Sequence, residues 1–136
     1  MTPSDTKLAR LEAQAMRSVW QNTEWLTAAD IADRAGLRPG NSVATVSRWK
    51  RQGRLFALRQ DGTNLYPRYA LGDNFRPLPV IKDILAMLDG YDPELLAAWF
   101  DSTSRFLSGG RPRERVVTEP TQVLAAARYL LEVPEQ

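Results

Sequence analysis

Six cations crowd the stretch TVSRWKRQGRLFALRQDGTNLYPRY, Thr45 to Tyr69: Arg48, Lys50, Arg51, Arg54, Arg59 and Arg68. Asp61 is its only acid. A guanidinium presents a rigid fork of donors that fits phosphate oxygens, or the O6 and N7 edge of guanine. Chemistry of this kind is recognition of a polyanion, with double-stranded DNA the expected partner. The same stretch carries Trp49 and Tyr66. Aromatics among cations either stack on single-stranded bases or pack in a core, and Trp49 falls on the apolar side of its helix.

Reaction chemistry has few parts here. The chain has no histidine and no cysteine, which removes the commonest general base, the commonest metal ligand, thiolate sites and disulfides. No Gly-rich phosphate loop ends in Lys-Ser/Thr. "GNSVAT" lacks the spacing of a nucleophile elbow. Asp89 and Asp92 are close in sequence but sit where helix caps belong. No catalytic residue, metal ligand or cofactor is therefore assigned, and the chain is not read as an enzyme.

The 136 residues suffice for one domain, or for two small ones sharing a core, and 43% hydrophobic residues are enough to build it. The net charge of +2 hides a polarised distribution. Arg34 to Arg68 holds eight basic residues and one acid, a balance of +7, whereas the remainder carries −5. Such a split suggests different partners for the two regions. No apolar run approaches the roughly 20 residues that span a bilayer, and the first residues lack the apolar core of a signal peptide. A cytoplasmic protein without membrane contact is expected.

The cations must be positioned by helices and a hairpin. Leu8, Leu11, Ala15 and Val19 recur at helical spacing and predict a helix over Asp5–Trp20, with Trp20 widening the stripe. Thr27 with Asp30 three residues on predicts an N-cap for a second helix, which Gly36 stops. After the breaker-rich "LRPGNS", Asn41 or Ser42 caps a third helix that ends at Gly53. The runs "RLFALR" and "NLYPRYAL", joined by "QDGT", predict a hairpin. Pro67 cannot donate to a ladder, so its strand is expected at an edge. "GDNFRPLP" reads as a linker. Three further helices follow: Pro79 to Gly90, Pro93 to Phe100 capped by Asp92, and a last one with Val123, Leu124, Ala127, Leu130 and Leu131 inward.

Two helices across a turn, the second basic, then a hairpin, match a winged helix-turn-helix. Projecting the third helix at its 100° spacing puts Val43, Val46 and Trp49 on one side, with Lys50 at its edge, and Ala44, Arg48, Arg51 and Gln52 on the other. On the DNA reading Arg48, Arg51 and Gln52 face bases, and Ala44 allows close approach. Thr45, Ser47 and the helix start at Asn41 and Ser42 reach phosphates. Arg59, Gln60, Thr63, Asn64 and Arg68 of the wing lie along the backbone or minor groove.

The C-terminal half carries an aromatic helix with Trp99 and Phe100, then Phe106 and Leu107, the phrase Gly110-Arg111-Pro112, and an alanine-rich closing helix. Aromatics beyond the needs of one amphipathic face either close a small core or make a partner surface. Pro112 can open a short helix whose start favours Glu114. In that order the segment from about Leu65 to Glu132 resembles the toxin-binding domain of Xre/MbcA/ParS-type antitoxins. "GGRPRERVV" stands here where that family often has "GRxPLELL". The resemblance implies a homodimeric repressor whose C-terminal domain binds a toxin, often of the RES type, through Trp99, Phe100, Phe106, Leu107, Gly110, Arg111 and Pro112.

The expected fold is mainly α with a small β-hairpin: a winged helix-turn-helix over 1–72 and a small helical module over 73–136. The expected function is a DNA-binding transcriptional regulator with a partner-binding C-terminal region. A non-DNA-binding antitoxin and a small excisionase-like DNA-bending factor are the alternatives.

Overall fold

The computed structural model describes residues 3–132, with side chains from residue 6 onward. Among the described residues, seven α-helices and three short strands follow in the order α1 (Pro3–Gln21), β1 (Trp25–Leu26), α2 (Ala28–Arg34), α3 (Ser42–Arg51), β2 (Leu58–Gln60), β3 (Thr63–Pro67), α4 (Pro79–Met87), α5 (Pro93–Phe100), α6 (Pro112–Arg115) and α7 (Pro120–Glu132). Single 3-10 turns occupy Arg68–Ala70 and Arg105–Leu107. The protein is mainly α with one small antiparallel sheet, ordered β1-β3-β2. Among the described residues, no helix is long and apolar enough to cross a membrane.

Local chemistry fixes the boundaries around α2 and α3. The Thr27 hydroxyl accepts from the Asp30 amide while the Asp30 carboxylate accepts from the Thr27 amide, a complete capping box. At the other end of α2, Leu37 N–H reaches Ala32 C=O and Gly36 N–H reaches Asp33 C=O. That Schellman closure needs a left-handed residue, and Gly36 supplies φ +68°. The same closure ends α3, with Arg54 N–H on Trp49 C=O and Gly53 at φ +73°. Asp61 and Gly62 both have positive φ, as a two-residue I′ hairpin loop requires, and register follows: Gln60 opposite Thr63, Leu58 opposite Leu65.

The sheet corrects three expectations. Pro67 does not lie on an edge strand: β3 is central, because Trp25 and Leu26 of the segment between α1 and α2 pair with Pro67 and Tyr66. Proline is tolerated there because β2 pairs only with Thr63 to Leu65, so no second partner awaits a donor at residue 67. The first hairpin run is a strand only from Leu58. Leu55, Phe56 and Ala57 before it are all buried in succession, which a strand with one exposed face cannot achieve. The second run ends at Pro67, and Arg68–Ala70 turns away as a 3-10 helix.

One core runs through both halves. Val19, Ile31, Val46 and Leu55–Leu58 from the N-terminal elements cluster with Ile81, Ile84, Phe100, Leu107 and Val123 from the C-terminal ones. Phe56 stacks on Phe100, with ring centroids 5.7 Å apart and planes 10° from parallel, and Tyr69 packs on the same Phe100 ring at 4.9 Å. The segment expected to be a linker is itself folded down. Leu71 bridges Pro77, Leu78 N–H bonds Ala70 C=O, and Phe75 lies beneath the Arg68 guanidinium. Arg76 from this loop donates to Ala35 C=O at the end of α2.

Three apolar stripes are only partly buried, and Leu131 departs from the inward direction expected of it. Leu8 and Leu11 of α1 are 56% and 54% exposed, because only the C-terminal end of that helix meets the body. Val43 is exposed in the first turn of α3, ahead of the part that packs on α2. Leu131 is exposed at the end of α7, while Val123, Ala126 and Ala127 face the core.

A polar junction seals the contact between halves. Asp101, just past α5, accepts from Ser18 Oγ of α1 at 2.7 Å and from Arg113 Nε of α6 at 2.7 Å. Its backbone C=O accepts from Arg111 Nε at 2.8 Å. Close by, the Tyr69 hydroxyl is buried without a hydrogen-bond partner among the described residues. Burial pushes its pKa well above the usual 10.0; Asp101 pushes it the same way and Arg113 opposes.

Two outcomes are expected. Phe100→Ala should cost about 3–5 kcal/mol in urea unfolding, with fluorescence and circular dichroism still reporting one coincident transition; separate transitions for the two halves would contradict a shared core. Tyr69→Phe should be neutral or stabilising by about 1 kcal/mol at neutral pH, since it deletes an unsatisfied hydroxyl. Because the folded protein holds the Tyr69 proton more tightly than the unfolded chain, the contribution of Tyr69 to stability is fully present below about pH 10 and is lost as pH rises beyond it. Thermal unfolding across that range should show a shallower decline in Tyr69→Phe.

Candidate nucleic-acid interface

The α3 surface follows from its packing. Val46 and Trp49 are buried against the core, at 0% and 8% exposure, and fix the helix rotation. The opposite face then carries Ala44, Arg48, Arg51 and Gln52, all exposed, while Lys50 is exposed at the edge of the packed side. Arg48, Lys50 and Arg51 enter none of the ion pairs formed by the described residues, which are Arg34–Glu24, Arg113–Asp101 and Arg115–Glu119. Three cations thus face solvent on the last two turns of one helix with no acid neutralising them.

At the start of α3, no side chain caps the helix: Asn41 is the N-cap residue but its side chain makes no capping bond. Thr45 Oγ1 donates back to Asn41 C=O at 2.9 Å, so this hydroxyl is already engaged. Ser42 and Ser47 are half-buried and Asn41 is exposed. Uncapped amide groups at a helix start are suited to an anionic oxygen.

The hairpin presents a second cationic point. Arg59 is exposed and braces the tip, donating to Gly62 C=O at 2.7 Å and to Asn64 Oδ1 at 3.4 Å. Gln60 and Thr63 are exposed beside it, and Asn64 is half-buried. Arg68 is different. Its guanidinium donates to Leu71 C=O at 2.8 Å and lies 4.2 Å over the Phe75 ring. It is a bracket for the loop after the sheet, set apart from the solvent-facing cations. Arg54 likewise lies over the Trp49 ring, and Arg34 is paired with Glu24. Arg38 in the turn before α3 and Lys50 are exposed cations that the helix projection left out or placed at its margin. Their signal was the +7 balance of the whole segment.

Trp49 and Tyr66 are both buried, so neither offers a ring for stacking on bases. Burial also raises the Tyr66 pKa.

The C-terminal residues divide. Phe100, Leu107 and Pro112 are buried and belong to the core, which corrects their expected role as partner contacts. Gly110 and Arg111 are half-buried, and Arg111 is spent on the Asp101 carbonyl and, through its amide, on Glu114. Phe106 remains exposed, 5.0 Å from the Tyr129 ring, with the Arg105 guanidinium over Tyr129 and donating to its hydroxyl. Trp99 is half-buried at the edge of this cluster.

Arginines with different surroundings should respond differently to truncation. Arg68→Ala is expected to cost about 1.5–3 kcal/mol in chemical denaturation, because buried carbonyls lose a charged donor. Arg48→Ala should change stability by less than about 0.5 kcal/mol. Equal losses would mean that Arg48 has a structural partner. Comparison with family models, characterised proteins and solved structures gives no match for this chain.

Proposed function

We propose that the protein is a double-stranded-DNA-binding transcriptional regulator, with α3 entering the major groove and the β2–β3 hairpin following the phosphate backbone. The observation that carries this reading is the unpaired cationic face of α3: Arg48 and Arg51 exposed on a helix held by buried Val46 and Trp49, with exposed Lys50 on its flank. A cation without an internal partner costs nothing in broken ion pairs when it meets phosphate, and releases counterions from the duplex. Arg48 and Arg51 take the base edges, Gln52 an adenine where one is present, and Ala44 leaves room for the approach. Arg59, already preorganised by Gly62 and Asn64, is the phosphate contact of the hairpin.

The exposed Phe106–Tyr129 pair with Arg105 supports a second role for the C-terminal half, the binding of a partner protein. An aromatic pair with an attendant arginine is the composition of an interface centre. On the family resemblance that partner is a toxin.

Fluorescence anisotropy on labelled duplexes of varied sequence tests the DNA reading. Affinity should fall linearly with salt on logarithmic axes. Arg51→Ala should cost about 1–3 kcal/mol and relax preference at one position, whereas Arg59→Ala should weaken all sequences alike and reduce the salt slope by about one. Binding that ignores salt and both substitutions would overturn the assignment.

A further inference from the structure

A cleft of about 550 Å³ opens where the two halves of the chain meet. Three stretches line it: Thr23 and Glu24 after α1, the turn that carries Arg68, Tyr69 and Asp73, and α6 with the residues just past it. Its size is that of pockets that take small organic ligands. Leu71, Leu78, Val116 and Val117 supply an apolar lining.

The polar groups of the cleft are only partly spent inside the protein. Glu24 pairs with Arg34 and Arg113 with Asp101. Arg68 is turned onto the Leu71 and Gly72 carbonyls and the Phe75 ring. Asp73 and Glu114 enter none of the ion pairs formed by the described residues. Two unmatched carboxylates therefore stand against one engaged guanidinium. Tyr69 adds a buried hydroxyl with no hydrogen-bond partner among the described residues. Asp101 acts on that hydroxyl more strongly than Arg113 does, so the local field favours positive charge. A carboxylate ligand would meet like charge here, whereas an ammonium finds acceptors.

We propose that this cleft is a binding site for a small aliphatic primary amine, its ammonium held by Asp73, Glu114 and the Tyr69 hydroxyl and its hydrocarbon stem laid on Leu71, Leu78, Val116 and Val117. Each acceptor oxygen is one that the fold leaves free of an ion pair or a hydroxyl partner, except that Glu114 also accepts from the Arg111 amide. Because its neighbours cover the Tyr69 hydroxyl, the ammonium reaches it only with a small displacement of the side chains above it. Burial of the methylene stem against the apolar lining supplies the rest of the affinity. The inference does not rest on the DNA reading, and its test contains no DNA.

The test titrates the full chain at neutral pH with n-hexylamine, hexanoate and 1-hexanol in turn, followed by amide chemical shifts. Hexylamine should saturably shift amides of residues 22–24, 68–73 and 113–117 with a dissociation constant of about 1 mM, and bind about tenfold tighter than either of the others. Tyr69→Phe changes no charge at this pH and should weaken hexylamine about tenfold. Val117→Trp, at a position 68% exposed, should fill the mouth of the cleft and abolish binding, with thermal unfolding unchanged. No saturable shift in these segments overturns the site. Hexanoate binding as tightly as hexylamine overturns the assignment of a cation. Hexylamine binding that ignores both substitutions is diffuse attraction to surface acids, and overturns the cleft as its location.

Discussion

Phe100 is the ring on which the two halves of the chain meet. It stacks in a parallel, offset arrangement on Phe56, which leads into the hairpin, and carries Tyr69, which leads out of it. Offset stacking of this kind adds to the burial of large apolar surface and is sensitive to orientation. The hairpin base is therefore fixed by a residue of α5 more than 30 positions away, and the hairpin projects from the common core. Asp101 follows Phe100 directly and ties down the polar rim of the same contact, engaging Ser18, Arg111 and Arg113. Because its carboxylate is matched by a cation and a hydroxyl, the pair is held in a nearly dry position with its polar atoms satisfied.

That arrangement explains where the charges of the basic segment end up. Some are consumed internally: Arg34 on Glu24, Arg68 on backbone carbonyls and Phe75, Arg54 over Trp49. Others have nothing inside to reach. On α3 the side buried by Val46 and Trp49 leaves Arg48 and Arg51 pointing the other way, and none of the acids of the C-terminal helices pairs with them among the described residues. The acids are spent elsewhere, as in Asp30 on a cap, Asp92 on a cap and Asp101 on the junction. The separation of charge along the sequence is thus preserved as separation in space, which is the physical basis of the proposed duplex contact.

Legibility followed locality. Caps, glycine stops and the Asp-Gly turn depend on residues three or four apart, and Thr27, Gly36, Gly53, Asp61 and Asp92 were readable because their chemistry is complete within one turn. The outward face of α3 was readable from its period for the same reason. What depends on distant partners was not. Two residues, Trp25 and Leu26, carry no strand pattern, yet they make β3 central, because Tyr66 and Pro67 lie opposite them only after the chain has turned through α2, α3 and the hairpin. Arg68 looked like its neighbours until Leu71 and Phe75 folded back under it. The aromatic excess in Trp99, Phe100, Phe106 and Leu107 was visible, but its division between core and surface is set by which side of α5 and the following turn meets α7 and Phe56.

The account rests on the cationic face of α3 being the part of the protein that touches a duplex. Nitrogen–proton correlation spectra recorded while a duplex is added would test it most directly. The account predicts that the largest shifts fall on the amides of residues 41–52 and 59–64, with α7 unperturbed. Shifts confined to the surface around Phe106 and Tyr129, or no shifts at low salt, would contradict it.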